Sequence, residues 1–275
     1  MKITIVGLGL IGASIAKALS GRAEIRGIDH EGCVIDQALS QGVIGEGSSD
    51  LSLAGGSDMV IIAVPVGRIV EIARGLIPHI GPDTLITDTG STKAHIVECI
   101  DELWPWFVGS HPIAGKEVPG YSASQADLFS GKAAIITPSN TTKSECIERA
   151  TWLWEECGAR VTVIDPCMHD ELMAVISHMP HLVSFASMSF ARDLHIHRDL
   201  LGAGFRDFTR IAASDPVMWK DIFLANKQHI LQLIDGFIGE LGMLKEAIHK
   251  DESARLEEIL RTYSTIRRDL YEDNR

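Results

Sequence analysis

A chain of 275 residues, 45% of them hydrophobic, can bury a substantial core and has room for two ordinary domains. Its formal net charge of −12, without a basic run, argues against a nucleic-acid surface and leaves room only for a locally positive pocket holding a small anion. Five cysteines in no metal-like pairing, no charged leader and no apolar run of membrane-spanning length point to a cytoplasmic protein with reduced thiols and no membrane partner.

Lys2-Ile3-Thr4-Ile5-Val6 reads as a strand that runs into Gly7-Leu8-Gly9-Leu10-Ile11-Gly12 and an alanine-rich helix start. In that setting a G-x-G-x-x-G predicts a dinucleotide site. Gly7 permits the tight turn, Gly9 lets a pyrophosphate approach the free N–H groups of the helix, and Gly12 lets the helix lie close to the sheet. A second strand, Glu24 to Ile28, ends at Asp29, 22 residues after Gly7. A carboxylate there is placed to accept from the adenosine 2′- and 3′-hydroxyls and to repel a 2′-phosphate, favouring NAD over NADP. The plainer reading of Asp29 is a polar residue closing its strand.

Further strands are expected over Met59 to Val64, Leu85 to Thr87, Ala133 to Thr137 and Val161 to Ile164. Helical patterns alternate with them at Ile69 to Leu76, Ala94 to Leu103 and Ser144 to Cys157, as in a doubly wound sheet. Val64 and Pro65 close one strand where such a sheet opens its binding crevice. Two loops of unusual chemistry are expected at strand ends, residues 88–93 and 109–117. After Asp165 helical spacing takes over: Leu172 to Phe190, interrupted at Pro180, then Trp219 to Met243, then a helix placing Leu256, Ile259, Leu260, Tyr263, Ile266 and Leu270 on one face. The expected architecture is α/β: a Rossmann-like doubly wound dinucleotide-binding domain over residues 1–165, followed by an all-helical substrate and dimerisation domain over residues 166–275. The apolar stripes serve either as intrachain core or as a homodimer contact.

A hydroxyl carbon that gives hydride to nicotinamide must also lose its O–H proton, so the chemistry needs a base. His111, held in a Pro- and Gly-rich loop, is the leading candidate, as a neutral imidazole near its usual pKa. Ser91 either orients that base or the substrate hydroxyl, or caps the helix beginning near Lys93. In the helical half, His178 and His181 share a face, and with His169 or Asp170 they raise a zinc reading. Their spacing matches no strong ligand signature, so no metal is expected. Arg206 and Arg210 in Gly204-Phe205-Arg206-Asp207-Phe208-Thr209-Arg210 offer guanidiniums for a carboxylate, or pair internally with Asp207.

Together these segments resemble the prephenate and arogenate dehydrogenase family of tyrosine biosynthesis. The resemblance runs through the glycine turn, Asp88-Thr89-Gly90-Ser91-Thr92-Lys93, His111-Pro112-Ile113-Ala114-Gly115, Ser177-His178-Met179-Pro180-His181, the Arg206 to Arg210 run, and Ser214-Asp215-Pro216-Val217-Met218-Trp219. It implies NAD-dependent oxidative decarboxylation of prephenate to 4-hydroxyphenylpyruvate. Arogenate use, or dual cyclohexadienyl specificity, is the alternative. His111 then resembles the catalytic histidine and Ser91 the serine linking hydroxyl, histidine and nicotinamide. Arg210 and His181 resemble the substrate-binding pair, and Asp170, His178 and Asp207 a supporting polar shell. Glu117 matches an acidic residue of the cleft, Lys116 departs from the small hydroxyl residue usual there and can meet the side-chain carboxylate, and Gly204 falls where a neighbouring subunit is reached. Neither a fused mutase nor a C-terminal regulatory domain is expected. Two competing classes are a non-catalytic NADH-responsive sensor, which needs no combination of His111, Ser91 and Arg210, and a hydroxy-acid or phosphogluconate-type dehydrogenase, which the His-Pro-Ile-Ala-Gly run disfavours.

Overall fold

The computed structural model describes residues 1–116, 118–192 and 198–272. Eight strands, β1 (Lys2–Val6), β2 (Glu24–Ile28), β3 (Glu46–Ser48), β4 (Met59–Ile62), β5 (Leu85–Asp88), β6 (Phe107–Pro112), β7 (Ala133–Thr137) and β8 (Arg160–Val163), form one sheet in the order β3-β2-β1-β4-β5-β6-β7-β8. Every pairing is parallel except β6 with β7. Strand β4 shows why its sequence is unbroken Met-Val-Ile-Ile. Met59 and Ile61 enter the core on one face while Val60 and Ile62 enter the core on the other, so a strand covered on both sides has no polar position. The covering helices are α1 (Leu10–Ala18), α2 (Gly32–Ser40), α3 (Ile69–Leu76), α4 (Ala94–Asp101) and α5 (Ser144–Glu156). The strand order reverses between β1 and β4, which is where an open sheet of this kind receives its ligand.

His111 lies within β6 and not in a loop. Residues Gly109 to Pro112 pair antiparallel with β7, His111 opposite Ile135, while β5 reaches only as far as Val108. The base candidate therefore stands on an overhang beside the loop that follows β5. Gly, Ser and Pro depress strand propensity here, and pairing with β7 overrides it. Val64 and Pro65 fall just beyond β4, and the short strand β3 was not anticipated.

The helical segment comprises α6 (Pro166–Met173), a π-helical turn over Ala174–His178, α7 (Met179–Ser187), α8 (Ala203–Arg210), α9 (Pro216–Ala225), α10 (Lys227–His249) and α11 (Ser253–Glu272). Pro180 does not break the run. It occupies the first turn of α7, and the wider π turn before it leads directly into that helix. The expected single helix from Trp219 to Met243 divides at Asn226, the C-cap of α9. Both α6 and α9 start on an Asp-Pro pair: Asp165 accepts from Cys167 N–H at 2.8 Å, and Asp215 from Val217 N–H at 2.7 Å.

Two compact units result, residues 1–227 and 228–275. In the second, the Tyr263 hydroxyl donates to the Glu240 carboxylate, while Ile238, Leu260, Ile266 and Leu270 remain exposed. Among the described residues no helix is long and apolar enough to cross a membrane.

Candidate active site

The glycine turn is built by steric necessity. Gly7 has φ +93°, and a Cβ there would lie 2.4 Å from the Ala63 carbonyl oxygen; one on Gly12 would lie 1.9 Å from the Gly7 carbonyl oxygen. Around Gly9 there is open space, and α1 starts from it with no side-chain cap, so its N–H groups face an uncrowded approach. These features fit a pyrophosphate. The Leu8 side chain is fully buried, so this residue serves the turn through its main chain; Leu10 and Ile11 are partly buried against the same core. The Asp29 carboxylate accepts from Leu8 N–H at 2.7 Å and Glu31 N–H at 3.0 Å, which fixes the turn against the end of β2.

On β6, His111 Nδ1 stands 2.8 Å from His169 Nε2, and His169 Nδ1 stands 2.8 Å from Asp170 Oδ1. An ionised carboxylate only accepts, so His169 carries its proton on Nδ1 and offers the Nε2 lone pair to His111. His111 consequently donates through Nδ1, which leaves its Nε2 lone pair able to accept a proton. Asp170 is itself fixed, taking Lys93 N–H at 2.7 Å on Oδ1 and Ala94 N–H at 3.0 Å on Oδ2. Burial pushes its carboxyl up, but the bonds from His169, Ala94 and Lys93 outweigh this and hold it below the usual range. Asp170, and not Ser91, thereby caps the start of α4. His169 emerges as the link between the Asp170 carboxylate and His111, and no group of three or more candidate metal ligands occurs among the described residues.

The expectation of an ordinary pKa for His111 does not hold. Burial first, then the neighbouring His169, Lys93 and His178, hold it well below 6.5. Lys93 is a residue the sequence reading passed over. It is fully buried and pairs with the fully buried Asp88, and its Nζ also donates to the Ser110 carbonyl at 3.0 Å. Asp88 further takes the N–H groups of Gly90 at 2.8 Å and Ser110 at 3.2 Å, joining the ends of β5 and β6 beneath His111. The sequence signal was a Lys and an Asp five residues apart in a segment otherwise heading into the core.

From the helical side, His181 Nδ1 donates to the Ser177 carbonyl at 2.9 Å, and its ring stacks on Trp219 at 3.7 Å. Burial lowers the pKa of His181, and the Arg210 charge at the end of α8 lowers it further, which brings these two residues within electrostatic reach. His178 is buried and meets the Ser91 main chain. Asp207 and Gly204 lie exposed on α8. Lys116 is exposed, with Nζ 3.0 Å from the Ala123 carbonyl, and Glu117 lies outside the described residues.

Three of these imidazoles resist protonation, with a consequence for stability. His178 is pushed down to about 4 by burial, and His111 and His169 shift the same way. Unfolded histidines take up protons near pH 6.5, so below that pH the unfolded state binds more protons and stability falls. His178 alone contributes roughly 3 kcal/mol that is present above pH 6.5 and lost as pH falls to about 4. Urea unfolding at pH 7.5, 6 and 5 should give a steadily decreasing free energy; equal stability at pH 7.5 and 5 would contradict neutral burial of these rings.

Comparison with known proteins places this arrangement in context. The family model described as prephenate dehydrogenase, nucleotide-binding domain, matches residues 13–163, and that described as prephenate dehydrogenase, dimerization domain, matches residues 165–262. The chain is 35% identical over 284 residues to the prephenate dehydrogenase of Bacillus subtilis strain 168, covering 96% of this chain and 75% of that protein. It is 33% identical over 258 residues to the cyclohexadienyl dehydrogenase of Zymomonas mobilis, covering 90% of this chain and 88% of that protein. The crystal structure of prephenate dehydrogenase from Aquifex aeolicus in complex with hydroxyphenyl propionate and NAD+ superposes with a TM-score of 0.91 at 35% identity, over 98% of each chain. The chain belongs to the prephenate dehydrogenase family.

Proposed function

We propose that the protein catalyses NAD-dependent oxidative decarboxylation of prephenate to 4-hydroxyphenylpyruvate and CO2, in the cytoplasm, as a step of tyrosine biosynthesis. The observation that carries this reading is the His111–His169–Asp170 relay, which leaves one imidazole nitrogen of His111 as a proton acceptor on the sheet that also carries the glycine turn. NAD+, held by the glycine turn, would supply the acceptor for the hydride that leaves C4 of the substrate ring. His111 Nε2 takes the C4 O–H proton, Ser91 orients that hydroxyl, and as the C1 carboxylate departs His111 returns the proton to the phenolate oxygen. Asp170 stabilises positive charge on the relay while the proton is held. Arg210 and His181 bind a substrate carboxylate, Lys116 contacts the carboxylate of its side chain, and Glu117, outside the described residues, has the role of pairing across the cleft or gating it. His178 and Asp170 support the site. Gly7, Leu8, Gly9, Leu10, Ile11, Gly12, Val64 and Pro65 line the cofactor, and Asp29 selects NAD over NADP.

The division at residues 165 and 166 is part of the same reading, supported by the change from strand alternation to helices. A homodimer is formed by the C-terminal helices, with Gly204 near the second copy; the exposed apolar side chains of α10 and α11 support it. Neither nucleic acid nor membrane is a partner.

Dual specificity is the second reading, favoured by the similarity to a cyclohexadienyl dehydrogenase. The test is NADH formation with prephenate and with arogenate, the aromatic product and CO2 being identified. Prephenate preference is expected; preference for arogenate reverses the substrate assignment. Silence with both, in folded protein that binds NAD+, replaces the enzyme by a sensor. In the same assay Arg210→Ala should raise the prephenate KM by roughly 10- to 150-fold, the loss of a charge-assisted hydrogen bond. An unchanged KM would remove Arg210 from the substrate site.

A further inference from the structure

Asn226, between α9 and α10, is a residue that neither the glycine turn nor the base relay explains. It is 3% exposed, and its Nδ2 donates to the Asp170 carbonyl at 2.7 Å and faces His178 Nδ1 at 3.1 Å. A carbonyl can only accept, so the Asp170 contact fixes which end of the amide is the NH2. Its second proton then requires an unprotonated Nδ1 on His178, making His178 the Nε2–H tautomer. The ring also lies near the Ser91 main chain.

The two acceptors of this amide belong to the two halves of the proposed chemistry. Asp170 orients His111 through His169, while His178 lies beside the segment that carries Ser91. His178 closes the π-helical turn with its ring facing Asn226 and edge-on to Trp219, on which His181 stacks. We propose that Asn226 is a positioning residue: its amide locks the His178 tautomer and sets the Ser91 segment in register with the His111–His169–Asp170 relay. This rests on the assignment of His111 and Ser91 given above. The requirement is for two donors on one short planar group. Aspartate has the same shape but presents an oxygen to the Asp170 carbonyl, and alanine leaves both acceptors buried.

The experiment uses the full chain. Long-range ¹H–¹⁵N spectra of the histidine rings at pH 7.5, with the His178 signals identified by their loss in His178→Gln, should show His178 as the Nε2–H tautomer. Asn226→Asp should convert it to a ring protonated at Nδ1, and Asn226→Asp and Asn226→Ala should each lower kcat by about 10- to 100-fold, as for loss of a group that orients a reacting residue. Affinity for NAD+ should stay unchanged in both. A purely structural role predicts a lower melting temperature with the tautomer and kcat preserved, and that result overturns the proposal. Should both variants fail to fold, the wild-type spectrum decides: an Nδ1–H form of His178 overturns it. The spectrum needs no substrate, so wild-type silence toward prephenate and arogenate would defeat the functional reading without being confused with failure of the Asn226 bond.

Discussion

Replacing His111 with Asn should lower kcat by about 10²- to 10⁴-fold, the usual contribution of a positioned general base, with NAD+ affinity unchanged. Asn keeps a donor near the Nδ1 position, so the bond to His169 Nε2 can persist while the acceptor at Nε2 is lost. Steady-state NADH formation with prephenate and an independent NAD+ titration measure the two quantities. Near-wild-type turnover would mean that another group takes the proton. The pH profile gives a second reading of the same residue. Because burial, and then its charged neighbours, hold His111 well below 6.5, it is already neutral at that pH, and kcat/KM should stay flat as pH falls through 6.5. An acid limb at or above 6.5 would assign the essential base to a less buried group.

The largest effect on stability should come from Lys93→Met, expected to destabilise the fold by about 3–5 kcal/mol. Methionine matches the length of the lysine stem but leaves the Asp88 carboxylate fully buried without its cation. Denaturant unfolding measures the difference, and a change under about 1 kcal/mol would show that the pair does not hold the β5 and β6 ends together. Coupling gives a sharper check. In the double variant Asp88→Asn with Lys93→Met no charge remains, so part of the loss should return, whereas independent sites would add their losses. Activity should fall with Lys93→Met as well, since Ser110, whose carbonyl Lys93 binds, directly precedes His111 on β6.

Local patterns made much of this molecule legible. The strand and glycine turn at the N-terminus, the helix Ile69–Leu76, the strand Ala133–Thr137 and the change to helices after Asp165 were all readable, because their signals lie in residues close in sequence. Period-two and period-3.6 burial and the steric demands at Gly7 require no knowledge of distant segments. The place of His111 was less accessible. Its neighbours Gly109, Ser110 and Pro112 look like a turn, and only pairing with β7, some 24 residues downstream, makes them a strand.

The site divides in the same way. Residue type marked His111, His181, Arg210 and Asp170 as chemically capable, since few side chains accept protons or bind carboxylates. Which of them act on one another was decided by contacts spanning long separations: His111 to His169 across 58 residues, Lys93 to Asp170 across 77 and Asn226 to Asp170 across 56. Those contacts set the tautomers, the depressed imidazole pKa values and the buried Lys93–Asp88 pair, all of which depend on desolvation and on the directions of individual hydrogen bonds. Residue types and local patterns set the kinds of chemistry available and the elements that present them. Long-range packing alone selected which nitrogen of His111 is left as a proton acceptor, because proton placement is a property of a closed hydrogen-bond network and not of any one residue in it.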